Sequence, residues 1–304
     1  MGTQPQSLNF VRNNGMKIIL WALVAVYTFM LPDAIIVYRA IEAAYGKVTA
    51  GKIPLIIVVI VGIAYGAAIL ISHKSLKNLL FLVPCGVIAI LIMKLVDNPN
   101  KHIHIPEYVL MAWLLYTVLS KDHKGKGIFI LVFIYGTMLG VVDEMEQGIN
   151  PARFYGLPDM MVNSASVLIG VFTLMGLKKV TASDLSWTAQ LRDFQTLVGL
   201  DLFGFAGIVI TCATLFQVQA SGKFWGVYPI WLVGWNVLYV LLAAAAALYQ
   251  GVFRKKGQAS EGEKESAVPD NVRTARLWII PLLVILFYMH SLAIYVAATG
   301  VKFD

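Results

Sequence analysis

Residues 53–72 read IPLIIVVIVGIAYGAAILIS, twenty positions without a charge. At a rise of 1.5 Å per residue such a helix is about 30 Å long, the thickness of a bilayer's hydrocarbon core. Lipid offers the backbone no hydrogen bonds, so a run of this kind must be a helix whose carbonyls accept from its own amides. Working outward, the same pattern recurs at approximately 17–38, 78–96, 103–119, 127–147, 160–177, 196–217, 225–250 and 277–298. The expected fold is all-α, a polytopic transmembrane bundle of about nine helices.

Composition agrees. Hydrophobic residues fill 59% of the 304 positions and charged residues 13%, with a mean hydropathy of +0.74. A soluble domain carries about 45–50% apolar and about 25% charged residues. These proportions exclude an ordinary soluble globule, and they exclude disorder, which needs low hydrophobicity and high charge. A transmembrane β-barrel alternates apolar and polar positions, and these runs do not. Cys85 and Cys212 each lie inside an apolar run, so no disulfide framework is implied. The first run is too long for the core of a signal peptide and no small-residue cleavage site follows, so it is expected to be retained.

The net charge of +7 is a topology signal rather than a nucleic-acid footprint, because Lys and Arg gather in short loops. The loops after the second, fourth, sixth and eighth runs hold 14 of the 24; the termini and remaining loops hold 9. The positive-inside rule assigns the first set to the cytoplasm, which places both termini and the loops after the third and fifth runs outside. Three segments follow: a leading helix and loop (1–52), a core (53–180), and three further helices (181–304) with a charged cytoplasmic loop at 251–276.

Polar residues concentrate in two stretches on the expected outer face. The first is Lys101-His102-Ile103-His104-Ile105-Pro106-Glu107-Tyr108. Pro106 suits a first helical turn, and Glu107 and Tyr108 share a face with His104 at three and four positions. The second runs from Asp143 to Asn163. Asp143, Glu144, Glu146 and Gln147 crowd a helix end; a Pro/Gly-broken turn with Arg153 follows, then Asp159, with Asn163 one turn beyond it. Ionisable side chains at membrane depth usually face a cavity and pair with one another, so these residues are expected to converge. Four carboxylates repel unless balanced by Arg153, Lys101, a histidinium, shared protons or a cation.

These residues, in this order and spacing, resemble the VanZ-like family of bacterial membrane proteins. His104, Glu107 and Tyr108 match its histidine followed by Glu-Tyr, preceded by Lys101. Asp143, Glu144 and Gln147 match its Asp-Glu-x-x-Gln at a helix end, and Pro151, Arg153, Asp159 and Asn163 follow at the family's intervals. The resemblance covers about residues 78–177. Asn100 and Ser166 depart from it, standing where an aspartate and a glycine are common. The family is named for a protein associated with low-level resistance to teicoplanin, a lipoglycopeptide. The resemblance implies a multi-pass inner-membrane protein of the cell envelope.

The residues then admit three readings. In the first, Lys101, His104, Glu107, Tyr108, Asp143, Glu144, Gln147, Arg153, Asp159 and Asn163 form an extracytoplasmic site for a lipid-linked or amphipathic envelope ligand, with Arg153 gripping a phosphate or carboxylate. In the second the chain is a membrane enzyme of hydrolase, phosphate or acyl type. His104 would then act as base beside Glu107 or Glu144, or join Asp143, Glu144 and Asp159 around a divalent metal. In the third it is a subunit of a larger membrane complex, contacting partner proteins through helices within 196–298. Within the runs, Asp33 and Asp201 are candidate proton or ion relays with no basic partner identified. His290 lies mid-span, as a haem ligand or a hydrogen-bonding group between helices.

Overall fold

The computed structural model describes residues 6–73, 76–96, 98–150, 153–178, 188, 194–260, 270–299 and 303. The described regular elements are helical: α1 (Gln6–Met30), α2 (Ala34–Tyr45), α3 (Lys47–His73), α4 (Leu82–Leu95), α5 (His104–Leu119), α6 (Gly127–Ile149), α7 (Leu157–Leu177), α8 (Gln195–Ser221), α9 (Ile230–Ser260) and α10 (Asp270–Thr299). A 3-10 turn at Leu31–Asp33, with Pro32 in it, joins α1 to α2, so the two form one continuous segment. Counted that way there are nine described helices, eight of them long and apolar enough to cross a membrane.

The helix short of that length is α5, expected as the fourth span. Its 16 residues cover about 24 Å. A 3-10 turn at Pro99–Ile103 runs straight into it, and Ser120, Lys121 and Asp122 close it. The expected loop at 251–276 also has more structure than its charges suggest. Helix α9 continues to Ser260 and α10 begins at Asp270, leaving 261–269 outside the described residues, as is Pro151.

The chain forms two compact units: 1–143 with 158–184, and 144–157 with 185–304. In the first, α3 and α4 turn large apolar side chains such as Ile56, Ile60, Ile63 and Leu91 outward. In water that surface would be a liability; against lipid it is the ordinary solvent-facing side. Helices α5, α6 and α7 are the interior. Cys85, Ala89 and Ile92 of α4 pack on Ile105 of α5 and on Val162 and Ile169 of α7.

Glycines set how closely these interior helices approach. A Cβ at Gly136 of α6 would lie 2.6 Å from Val167 Cγ1 of α7. One at Gly140 would lie 3.0 Å from Asn163 Cβ, and one at Gly170 of α7 would fall 2.5 Å from Ala112 Cβ of α5. Gly136 and Gly140 stand four apart, the small-xxx-small spacing that lets membrane helices touch along their backbones. At the margin, Gly46 (φ 78°) ends α2 by donating its N–H to Glu42 O, 2.8 Å away, and the chain reverses directly into α3.

In the second unit α8, α9 and α10 pack mutually. Gly222 (φ 65°) closes α8, its N–H donating to Val218 O at 2.9 Å. Left-handed glycine caps of this kind satisfy a helix's last carbonyls.

Gly136→Ala is therefore expected to cost about 1–3 kcal/mol through overpacking, read as a lowered thermal midpoint of the purified protein. Gly62→Ala, whose Cβ would meet nothing within 4 Å, is expected to leave the midpoint unchanged or slightly raised. Equal effects at both positions would contradict the packing described.

Candidate functional site

The sequence stretches that were expected to converge form polar contacts within each of the two units. Four of these lie in the first unit. Lys101, in the 3-10 turn before α5, donates from Nζ to both oxygens of Asp159, at 2.8 and 2.6 Å. Asp159 is buried in the first turn of α7, whereas the Lys101 side chain is 36% exposed, so the pair lies at a rim. At the first residue of α5, His104 Nδ1 lies 3.1 Å from Glu107 Oε2, a charge contact without hydrogen-bond geometry at the i,i+3 spacing. The Glu107 carbonyl accepts from the Tyr27 hydroxyl of α1 at 2.9 Å. Deeper, the Tyr108 hydroxyl donates to Asp143 Oδ2 at 2.8 Å, with both residues fully buried. Asn163 Nδ2 donates to Gly140 O at 3.3 Å, so the close approach at Gly140 also places this amide.

The second unit holds the rest of the motif. Glu144 is fully buried and accepts twice, from Gln147 Nε2 and from the Gly156 backbone N–H, each at 3.2 Å. Gln147 Oε1 in turn accepts from Arg153 Nε at 3.1 Å and from its Nη2. Glu144 thus organises the turn between α6 and α7, and Arg153 is held by an amide rather than by a carboxylate. Asp143 and Glu144 are consecutive in α6. Adjacent helical residues point about 100° apart, so each carboxylate has its own surroundings.

Among the described residues, no three His, Cys, Asp or Glu side chains come together as a metal site would require. The arrangement divides its labour: Glu144, Gln147 and Arg153 fix a turn, Tyr108, Asp143 and Asn163 satisfy buried polarity, and Lys101 and Glu107 stand nearest the surface.

Sequence reasoning missed two residues that shape these surroundings. Tyr155 is buried in the turn after α6; its hydroxyl donates to Cys212 O of α8 at 2.8 Å and its ring meets Phe303 at 4.9 Å. Burial pushes its phenol far above the ordinary tyrosine range. His123, in the loop after α5, is buried, and neither ring nitrogen has a hydrogen-bond partner among the described residues. Its neighbour Asp122 pairs with Lys17 of α1. Burial holds His123 below the usual histidine range; Asp122 opposes that shift and Lys17 adds to it. A single histidine in a lysine-rich loop carries no pattern that would have singled it out.

No protein-family model, curated protein or solved structure matched this chain.

Lys101→Met leaves a buried Asp159 without its donor, which costs about 1–3 kcal/mol. Adding Asp159→Leu is expected to recover part of that loss, because removing both partners leaves no orphaned charge. Thermal unfolding of the two variants measures this, and a double variant worse than the single would contradict the pairing. For His123, unfolding restores a ring that binds a proton near pH 6.5 while the folded ring does not. The unfolded state therefore gains protons first, and stability falls as pH drops below about 6.5. His123→Leu is expected to flatten that part of the stability–pH curve.

Proposed function

We propose that this chain is a VanZ-like membrane protein that binds an amphipathic, lipid-linked envelope ligand beside the first turn of α5. The observation that carries the reading is an apolar cavity of about 180 Å³ in the first unit, bounded by α3, α4, α5 and α7. Ile105, Pro106 and Val109 line it, and they alternate along α5 with His104, Glu107 and Tyr108. The slot and these polar side chains thus share helical turns, the polar ones on the adjoining face of α5 rather than in the lining, within reach of the head of a ligand whose chain fills the slot.

Lipid tails are as apolar as the cavity wall, so a chain gains no hydrophobic energy by moving in from the bilayer. Selectivity must come from the polar end. Lys101 has a third ammonium N–H beyond the two donated to Asp159, and Glu107 is partly exposed. A phosphate or carboxylate head suits the first, an amine or sugar hydroxyl the second. The loop charges favour an extracytoplasmic rim, with α5 counted as a crossing. The family resemblance links such a ligand to the envelope and to teicoplanin.

The His104–Glu107 contact favours a second reading. A carboxylate that orients an imidazole is the arrangement of a general base, so a membrane hydrolase acting on the same ligand class fits the same turn.

A phosphatidic acid carrying a photoactivatable acyl chain, added to the full-length protein in nanodiscs, tests the first reading. Cross-links are expected on the cavity walls of α3, α4 and α5, and Val109→Trp, which fills the cavity, is expected to lower them at least tenfold. Labelling spread over the outward faces of α3 and α4 and indifferent to Val109→Trp would overturn it. Release of inorganic phosphate from the same lipid, lost in His104→Gln, would favour the second.

A further inference from the structure

The second unit contains a buried polar cluster remote in sequence from the motif. Asp33, read from the sequence with Asp201 as a candidate relay, is exposed where α1 meets α2. Asp201 is buried in α8, and neither of its carboxylate oxygens has a hydrogen-bond partner among the described residues. One turn on, Gly204 lies against the ring of Tyr239 of α9, whose hydroxyl is likewise without a partner and lies within electrostatic range of Asp201. The Tyr239 ring packs on His290 of α10, with 4.2 Å between centroids. At Gly207 a Cβ would lie 2.9 Å from His290 Cε1, so the two glycines keep α8 flat where the imidazole is seated.

Hydrogen-bond arithmetic at His290 fixes what the cluster lacks. Asn236 Nδ2 donates to Leu232 O and lies at the same 2.7 Å from the Tyr228 hydroxyl, so Asn236 Oδ1 is the atom that faces the imidazole. His290 Nδ1 lies 2.5 Å from that oxygen, and Nε2 lies 3.0 Å from Gly204 O. Both neighbours are acceptors. A neutral imidazole has one N–H and satisfies one of them; the imidazolium satisfies both. Among the described residues, the titratable groups around this network are Asp201 and Cys212 of α8, Tyr239 of α9 and Tyr228 just before α9. Glu146, at the end of α6, accepts from the Tyr288 hydroxyl.

We infer that Asp201 and His290 form an intramembrane proton-binding site in the α8–α9–α10 unit, with Tyr239 between them. With no hydrogen bond joining the two side chains among the described residues, they hold one proton between them. When it leaves the Asp201 carboxyl for His290, a carboxylate and an imidazolium remain, and the pair is neutral overall in either form. A pair without net charge is the form that low-dielectric surroundings tolerate. The ligand is a proton, and the three helices absent from the motif region carry the site. A protein that binds a proton inside the membrane holds the component that a proton-coupled process requires.

Full-length protein labelled with ¹⁵N-histidine, in nanodiscs and titrated with pH, tests this, with the His290 signal assigned through His290→Gln. The signal is expected to titrate between imidazolium and neutral ring. Asp201→Asn is expected to lower its midpoint by at least one pH unit, a tenfold loss of proton affinity, and Tyr239→Phe to lower it less. A His290 signal that never shows the imidazolium, or a midpoint unmoved in a folded Asp201→Asn, would overturn the proposal. Should Asp201→Asn fail to fold, Tyr239→Phe decides, since it removes a hydroxyl that bonds to no described residue; an unmoved midpoint there overturns the proposal as well.

Discussion

Everything else in this protein depends on the scarcity of hydrogen-bond partners for a polar group inside lipid. Asp143 and Glu144 show the constraint most sharply. They are neighbours in one apolar helix, both fully buried, and no bulk water reaches either. Each has to be met by protein. The helix points them in different directions, so one is met by the Tyr108 hydroxyl and the other by Gln147 and a backbone amide. Placing those donors fixes the position of α5 against α6 in the first unit and the course of the turn at 153–156 in the second.

The same constraint explains the glycines. A hydrogen bond from Asn163 to a backbone carbonyl needs the two helices at backbone distance, and Gly140 provides it. In the C-terminal helices Gly204 and Gly207 play the corresponding part, letting Tyr239 and His290 reach the α8 backbone. Polar side chain and facing glycine act together, because either without the other leaves an unsatisfied group or a gap.

Much of the fold was legible because a bilayer imposes one length on every span, and a run of twenty apolar residues has few other interpretations. The exception, α5, was less so. Its run at 103–119 is the shortest of the nine, and a proline-led 3-10 turn takes up the residues in front of it. The motif's local pairs could be read as well: His104 with Glu107 and Glu144 with Gln147 follow from helical spacing. What the spacing could not give was the partner across helices. Lys101 with Asp159, and Tyr108 with Asp143, depend on which faces meet. Repulsion among four carboxylates called for balancing partners, and Lys101 for Asp159 and the Tyr108 hydroxyl for Asp143 are two of them. Gly136 and Gly140 stand at a small-xxx-small spacing, but only the structure shows that α7 is what meets them. Asn236, which turns His290 from an isolated histidine into part of a network, sits in an apolar helix with nothing in its own neighbourhood to mark it.

The two proposals rest on one unit each: an apolar cavity beside the first turns of α5, and a buried polar cluster among the last three helices. The most direct measurement of the central claim is an experimental density map of the protein in lipid nanodiscs. The account predicts an elongated chain-like density against Pro106 and Val109, ending near Lys101 and Glu107, with the Tyr108–Asp143 and Glu144–Gln147 pairs intact. A collapsed, empty slot, or an ion drawn between Asp143 and Glu144 in place of those pairs, would contradict it.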